Sequence, residues 1–239
     1  MTAELNRFDR MEYPMNAADL VDFLQELRAN NNKTWFDANR PRYDALRADF
    51  LADVTAIIKS VHDFDKELGE ISPSNALFRI NRDIRFSKDK SPYKTTFSAM
   101  LVPGKKSAHG QPGYYFHISA DDVLMVAGGA YMPEPPALSI MRKAVAEHHK
   151  AFDKIVKEAV ANGPFDELGG EKLKKMPKEF DAEHPAAEYL KQKGFILWIE
   201  REASTVPAGD LVDNVLAGFR AASPLVRFLR DAVVEGASV

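Results

Sequence analysis

Leu20, Phe23, Leu24 and Leu27 recur at intervals of three and four, the spacing of one helix face. Asn16 supplies an N-cap, and Asp19 suits the positive end of that helix. Asn30, Asn31 and Asn32 are expected to stop it, because asparagine tolerates the left-handed conformation of a helix C-terminus. A short helical turn through Trp35 and Phe36 follows. Pro41 fits a first helical turn, and Tyr43, Leu46, Phe50, Leu51, Val54, Ile57, Ile58 and Val61 form a long apolar stripe behind it.

The period then drops to two. Phe78, Ile80, Ile84 and Phe86 alternate with Arg79, Asn81, Asp83 and Arg85, which predicts a strand with a dry and a polar face. Arg82 falls on the dry side, so it must be paired, reach the sheet edge or mark a bulge. Further strands are expected over 96–102, 114–119 and 123–127, the last two joined by a turn at Ala120, Asp121 and Asp122 and the last broken by Gly128-Gly129. Pro135-Pro136 opens a helix carrying Ile140, Met141, Phe152 and Ile155, stopped at Gly163-Pro164. Loops with one short helix fill 165–192, and Phe195 to Ile199 reads as a late strand. Two C-terminal helices follow, one with Leu211, Val215 and Phe219, the other with Leu225, Phe228 and Leu229. Strands in succession with short connections, flanked by helices, predict an α+β fold. Its mainly antiparallel sheet is a meander with N-terminal and C-terminal helices packed on it, in one domain over residues 1–239.

Composition narrows the chemistry. The chain has no cysteine, which removes disulfides, thiolate metal sites and thiol catalysis. No apolar run is long enough to span a bilayer, and the charged stretch 1–14 has no secretory core, so a cytoplasmic protein without membrane contact is expected. The six histidines form no H-x-x-x-H or H-E-x-x-H pair, and phosphate-binding glycine loops and the G-x-S-x-G elbow are missing, so no metal or cofactor is expected.

Charge is distributed unevenly. The net charge is −3, yet Arg79, Arg82, Arg85, Lys88, Lys90 and Lys94 face only Asp83 and Asp89 within residues 78–94, a local balance of +4. The same stretch resembles the signature R-x-x-R-D-x-R-F-x-x-D/N-K-x-x-Y of a bacterial family, domain of unknown function 2461. Arg79, Arg82, Asp83, Arg85, Phe86, Asp89, Lys90 and Tyr93 stand at its motif positions. Asn31-Asn32-Lys33 with Trp35-Phe36, Gly113-Tyr114-Tyr115 with His117, and Gly128-Gly129 with Tyr131 also look like that family, over roughly residues 17–200. The resemblance implies no activity, substrate or catalytic residue.

Arginine offers a planar fork of donors suited to phosphate or carboxylate, and lysines add point charges. A site built around the strand of Arg79, Arg82 and Arg85 could therefore hold an anionic small molecule, with Arg79 and Arg85 on the anion, Asp83 orienting them, Lys90 and Tyr93 closing the loop side, and Lys88, Lys90 and Lys94 as added charges. The same residues could equally form a salt-bridge lattice in a protein that performs no chemistry. His117 shares a strand face with Tyr115 and is the candidate for proton transfer; the alternative is a hydrogen-bonded sheet histidine. Trp35 and Tyr115 could stack on bases if the basic patch binds nucleic acid; otherwise Trp35 is a core residue beside helix caps. Oligomeric state and physiological partner are not legible in the sequence.

Overall fold

The computed structural model describes residues 15–104 and 110–236, so the charged N-terminal stretch and His109 lie outside the described residues. Helix α1 (Ala17–Ala29) begins where the Asn16 side chain accepts a hydrogen bond from the Ala18 N–H at 3.1 Å. It ends at Asn30 without the expected left-handed turn: φ is −128°, and Asn30 Nδ2 caps the Glu26 carbonyl at 3.0 Å instead. Asn32 caps α2 (Lys33–Ala38) by accepting from the Trp35 N–H at 3.0 Å, and α3 (Arg40–Val61) carries Pro41 in its first turn. The short α4 (Pro73–Ala76) precedes the sheet.

Strands β1 (Thr96–Leu101), β2 (Gly113–Ser119) and β3 (Val123–Ala130) form the expected meander. The chain then forms α5 (Pro135–Glu147), α6 (His149–Asn162), the two-residue β4 (Leu168–Gly169) and α7 (Ala187–Leu190). It returns as β5 (Phe195–Glu202), antiparallel to β3, and ends in α8 (Leu211–Gly236). The sheet order is β1-β2-β3-β5-β4, antiparallel throughout, so the protein is α+β.

Strand periodicity sorts the sheet into two unlike faces. Phe97, Tyr114, Phe116, Ile118, Val126 and Leu197 are buried on the face that meets the helices. Phe50 of α3 meets Phe97 and Phe116 at 5.6 and 5.3 Å, and Phe219 of α8 meets Tyr114 at 4.9 Å. Gly128 is where α8 crosses closely: a Cβ there would stand 2.5 Å from that of Ala222. Within this layer Arg230 grips Asp65 through two hydrogen bonds, Nη1 to Oδ1 at 2.8 Å and Nη2 to Oδ2 at 2.7 Å, while the Tyr114 hydroxyl donates to Asp65 Oδ2 at 2.7 Å. This network ties the segment after α3 to α8 and β2.

Four expectations are corrected. Residues 78–86 are not a strand. Leu77 bridges to Ala99 and Asn81 to Tyr93, so four residue steps oppose six, and a regular ladder cannot survive that slip. Hydrogen bonds between the two segments include Phe78 N–H to Ser98 O (3.0 Å), Lys94 N–H to Ile80 O (2.7 Å) and Arg82 N–H to Pro92 O (2.9 Å). Beyond Arg82 the chain swings out as a loop, leaving Phe86 95% exposed rather than on a dry face. Second, Gly128-Gly129 does not break β3, which runs on to Ala130; at Gly129 (φ +133°) a Cβ would lie 2.0 Å from the Phe195 carbonyl oxygen, so glycine lets β5 draw close. Third, the helix after Pro135 is two helices, parted at His148 (φ −108°, ψ 33°). Fourth, the two C-terminal helices are one: α8 runs through Pro224. An interior proline costs about 3 kcal/mol. Burying Phe219, Ala222, Val226 and Leu229 along one continuous stripe outweighs it.

Candidate functional site

The other sheet face carries Met100, Tyr115, His117, Met125, Ala127 and Trp198, all half-buried. Phe78, held alongside β1, adds its ring at the edge, 6.3 Å from Tyr115 and edge-on. Tyr115 in turn meets His117 at 5.6 Å, and register sets His117 opposite Ser98 and Met125. The parity of Thr96 and Ser98 extends back to Lys94, whose ammonium lies 5.3 Å from the centre of the Phe78 ring. The structure thus places Lys94, Ser98, Tyr115 and His117 along the open face beside Phe78 at the β1 edge, with the Arg79 charge near enough to act on Lys94. A narrow crevice lined by Arg47, Phe78, Ile80, Thr96 and Ser98 lies there as well.

His117 Nδ1 is buried with no hydrogen-bond partner among the described residues. Burial pushes the imidazole below its ordinary pKa, with Glu200 pulling weakly the other way, so the ring is neutral at pH 7. Burial pushes the Tyr115 phenol up, offset in part by the Ser98 hydroxyl. Lys94 is depressed, first by burial and then by the Arg79 charge. We expect an NMR titration of His117 to turn over below 6.5 and to move lower still in Glu200→Gln; a midpoint above 6.5 would contradict this environment.

The remaining motif residues do a different job. Arg82 is half-buried and clamps its own loop, pairing with Asp89 and donating to the Ser91 carbonyl (3.2 Å) and the Ser87 hydroxyl (3.3 Å). Arg85 is exposed and forks onto Asp83 at 2.9 and 2.6 Å. Asp83 is pulled down to about 2 by Arg85, and Asp89 to about 2 by Ser91 and then Arg82. Lys90 Nζ donates to the Ile84 carbonyl at 3.0 Å, and Lys88 is exposed. Tyr93 is buried; its ring stacks on Phe36 at 4.0 Å, and the Asn31 side chain brackets its backbone with two 3.0 Å hydrogen bonds. Trp35 packs half-buried on the core, 5.8 Å from Phe23. The two carboxylates thus take up Arg82 and Arg85. Among the described residues no carboxylate pairs with Arg79, Lys88, Lys90 or Lys94, which together carry the +4 of the segment.

The structure separates the sequence candidates into two groups. Lys94, Tyr115 and His117 line the edge of the open face, and the Arg79 charge acts on Lys94 there. Arg82, Asp83, Arg85, Lys88 and Lys90 belong to the projecting loop, while Tyr93 and Trp35 pack in the core. Sequence reasoning missed Phe78, Ser98, Met125 and Trp198 as neighbours of this face. Their alternation with buried residues was the available signal, obscured at Phe78 by its assignment to a different strand. Among the described residues, no group of three or more histidine, aspartate or glutamate side chains is placed to hold a metal, and no helix is long and apolar enough to cross a membrane.

Fold and site together define an α+β protein whose helices cover one sheet face and whose other face carries a cation-rimmed, histidine-bearing corner. The chain belongs to the conserved hypothetical protein family DUF2461, whose profile matches residues 19–228. No curated protein matches it.

Proposed function

We propose that this protein binds a small phosphate- or carboxylate-bearing ligand at the β1 edge of the open sheet face, with Lys94 and Arg79 as the anion contacts. One observation carries the reading: Lys94, half-buried beside the Phe78 ring, has its pKa lowered by burial and then by the Arg79 charge, and no carboxylate pairs with either cation among the described residues. Like charges held together are costly unless a counter-ion joins them, and an anion between them would relieve that cost. His117, neutral and with an unpartnered Nδ1, stands one strand away to accept a proton if the ligand is turned over. The setting proposed is the bacterial cytoplasm, where phosphorylated and carboxylated metabolites abound.

Isothermal titration with inorganic phosphate tests this. We expect Lys94→Ala to weaken binding at least tenfold, the worth of one charge-assisted contact of about 1.4 kcal/mol. Arg85→Ala, whose guanidinium is already occupied by Asp83, should bind as the wild type does. Equal loss in both variants would move the site to the loop; no loss in either would remove it.

A second reading has one observation in its favour. Phe86 is 95% exposed on a loop whose Lys88 and Lys90 pair with no carboxylate among the described residues, a surface on which a single-stranded nucleic acid could stack. Steep loss of polynucleotide binding with salt, abolished by Phe86→Ala, would identify that mode.

A further inference from the structure

We propose that the ligand of this site is an elongated amphipathic anion: one phosphate or carboxylate head at the Lys94–Arg79 corner, and an alkyl or aryl body laid across the strands. The inference rests on the anion reading above and names the ligand class.

Register aligns Met100, Tyr115, Ala127 and Trp198 in one row on the open face, each on the next strand. Neighbouring strands are about 4.8 Å apart, so the row runs roughly 14 Å from the cationic edge inward. None of the four bears a charge, and all are half-buried, which leaves an apolar track that begins beside Phe78 and Lys94. The track dips in the middle. Ala127 is small, and the Trp198 ring occupies the space over Gly169 on β4, where an added Cβ would meet the ring at 1.5 Å. The indole therefore leans away from Ala127 and leaves a trough between itself and Tyr115. Met125, two residues from Ala127 on β3, borders that trough, and Met100 lies beyond Tyr115 at the β1 end of the track; both are flexible, polarizable side chains that adapt to a varied body.

Charge sets the polarity of the ligand. Cations stand at the β1 edge; on β5 the charged side chains of this face are Glu200 and Glu202. A carboxylate-bearing far side repels a second anionic group, so the body is neutral and the ligand has a single head. The half-exposure of the whole row suits a body that lies on the sheet rather than one enclosed by it.

The test is calorimetric titration of the wild-type chain with methyl, hexyl and decyl phosphate, each kept below its micelle-forming concentration. Trp198 fluorescence is followed in a Trp35→Phe background. A fully buried methylene is worth about fourfold in affinity and a half-sheltered one about twofold, so decyl phosphate, nine methylenes longer, should bind about 500-fold more tightly than methyl phosphate. Trp198 emission should shift only with the longer chains. Ala127→Gln, which fills the trough with a polar side chain, should erase most of the chain-length gain and leave methyl phosphate binding unchanged. If methyl and decyl phosphate bind alike and both depend on Lys94, the amphipathic assignment is overturned while the anion site stands. If the gain with length persists in Ala127→Gln and Trp198 does not respond, the chain lies elsewhere and the assignment is likewise overturned. If no phosphate binds, the anion reading itself falls and this inference with it.

Discussion

Replacing Arg230 with alanine lowers stability by about 3–5 kcal/mol, the cost of stranding a buried charge. For a chain of this size that is a fall in Tm of roughly 10 °C, measured by thermal unfolding at neutral pH. The side chains of Arg230 and Asp65 are 8% and 0% exposed, so water cannot replace the lost partner. The deletion leaves the Asp65 carboxylate, among the described residues, with the Tyr114 hydroxyl as its side-chain hydrogen bond and the more distant Arg227 charge. Replacing both partners with apolar residues, Asp65→Leu with Arg230→Met, should recover most of the loss, because the pair is costly to desolvate and worth little over a packed core. Acid has a related effect. Burial pushes Asp65 up most strongly, but hydrogen bonds from Arg230 and Tyr114, with the charges of Arg230 and Arg227, together outweigh it and hold the carboxyl below its ordinary value. Its contribution is therefore present above the unfolded carboxylate pKa near 3.8 and is lost as pH falls through the lower folded value. A drop under about 1 kcal/mol in Arg230→Ala would mean that the network is wetter than its geometry implies.

Asp53 should show the opposite pH dependence. It lies in α3, 1% exposed, with Oδ1 lacking a partner among the described residues. Burial, with a smaller push from Asp49, raises its pKa to about 7. Because the folded value exceeds the unfolded one, its stability is full below about 3.8, declines as pH rises and is gone above 7. A shift of this size is worth on the order of 2–4 kcal/mol, the lower end reflecting relaxation around the carboxylate. Asp53→Asn should thus raise Tm by about 5–10 °C at pH 8 and by almost nothing near pH 4. A Tm gain that does not change with pH would show that Asp53 is not titrating in that range.

The helical layer was largely legible in the sequence because burial is one-sided. Leu20, Phe23, Leu24 and Leu27, and the stripe from Tyr43 to Val61, announce both the period and the buried face. The meander was legible for the same reason: Tyr114, Phe116 and Ile118 alternate with Tyr115 and His117, so the parity that separates the two sheet faces is written in β2. The segment after Phe78 was not legible. Its alternation is real, but pairing slips between Ala99 and Tyr93, and a slip depends on two strands at once. The expected break between Phe219 and Leu225 did not appear for a related reason, since the packing of α8 against Gly128 and Val126 is a tertiary term that no local propensity reports.

The site divides along the same line. That Tyr115 and His117 share a face followed from period two. That Lys94 joins them depended on extending the parity of β1 backward through Thr96, and that Arg82 and Arg85 are already engaged depended on loop geometry. Asp83 reaches Arg85 two residues on, and Asp89 reaches back seven to Arg82. The motif density that drew attention to the loop thus reflects how the loop is braced, while Arg79 and Lys94, half of the charge that no carboxylate takes up among the described residues, flank its base beside the open face.

A crystal structure from phosphate-containing medium tests that division most directly. The account predicts an ion between the Lys94 ammonium and the Arg79 guanidinium at the β1 edge, with Asp83 and Asp89 still on Arg85 and Arg82. An ion seated instead on Arg82 and Arg85, with their carboxylates displaced, would contradict it.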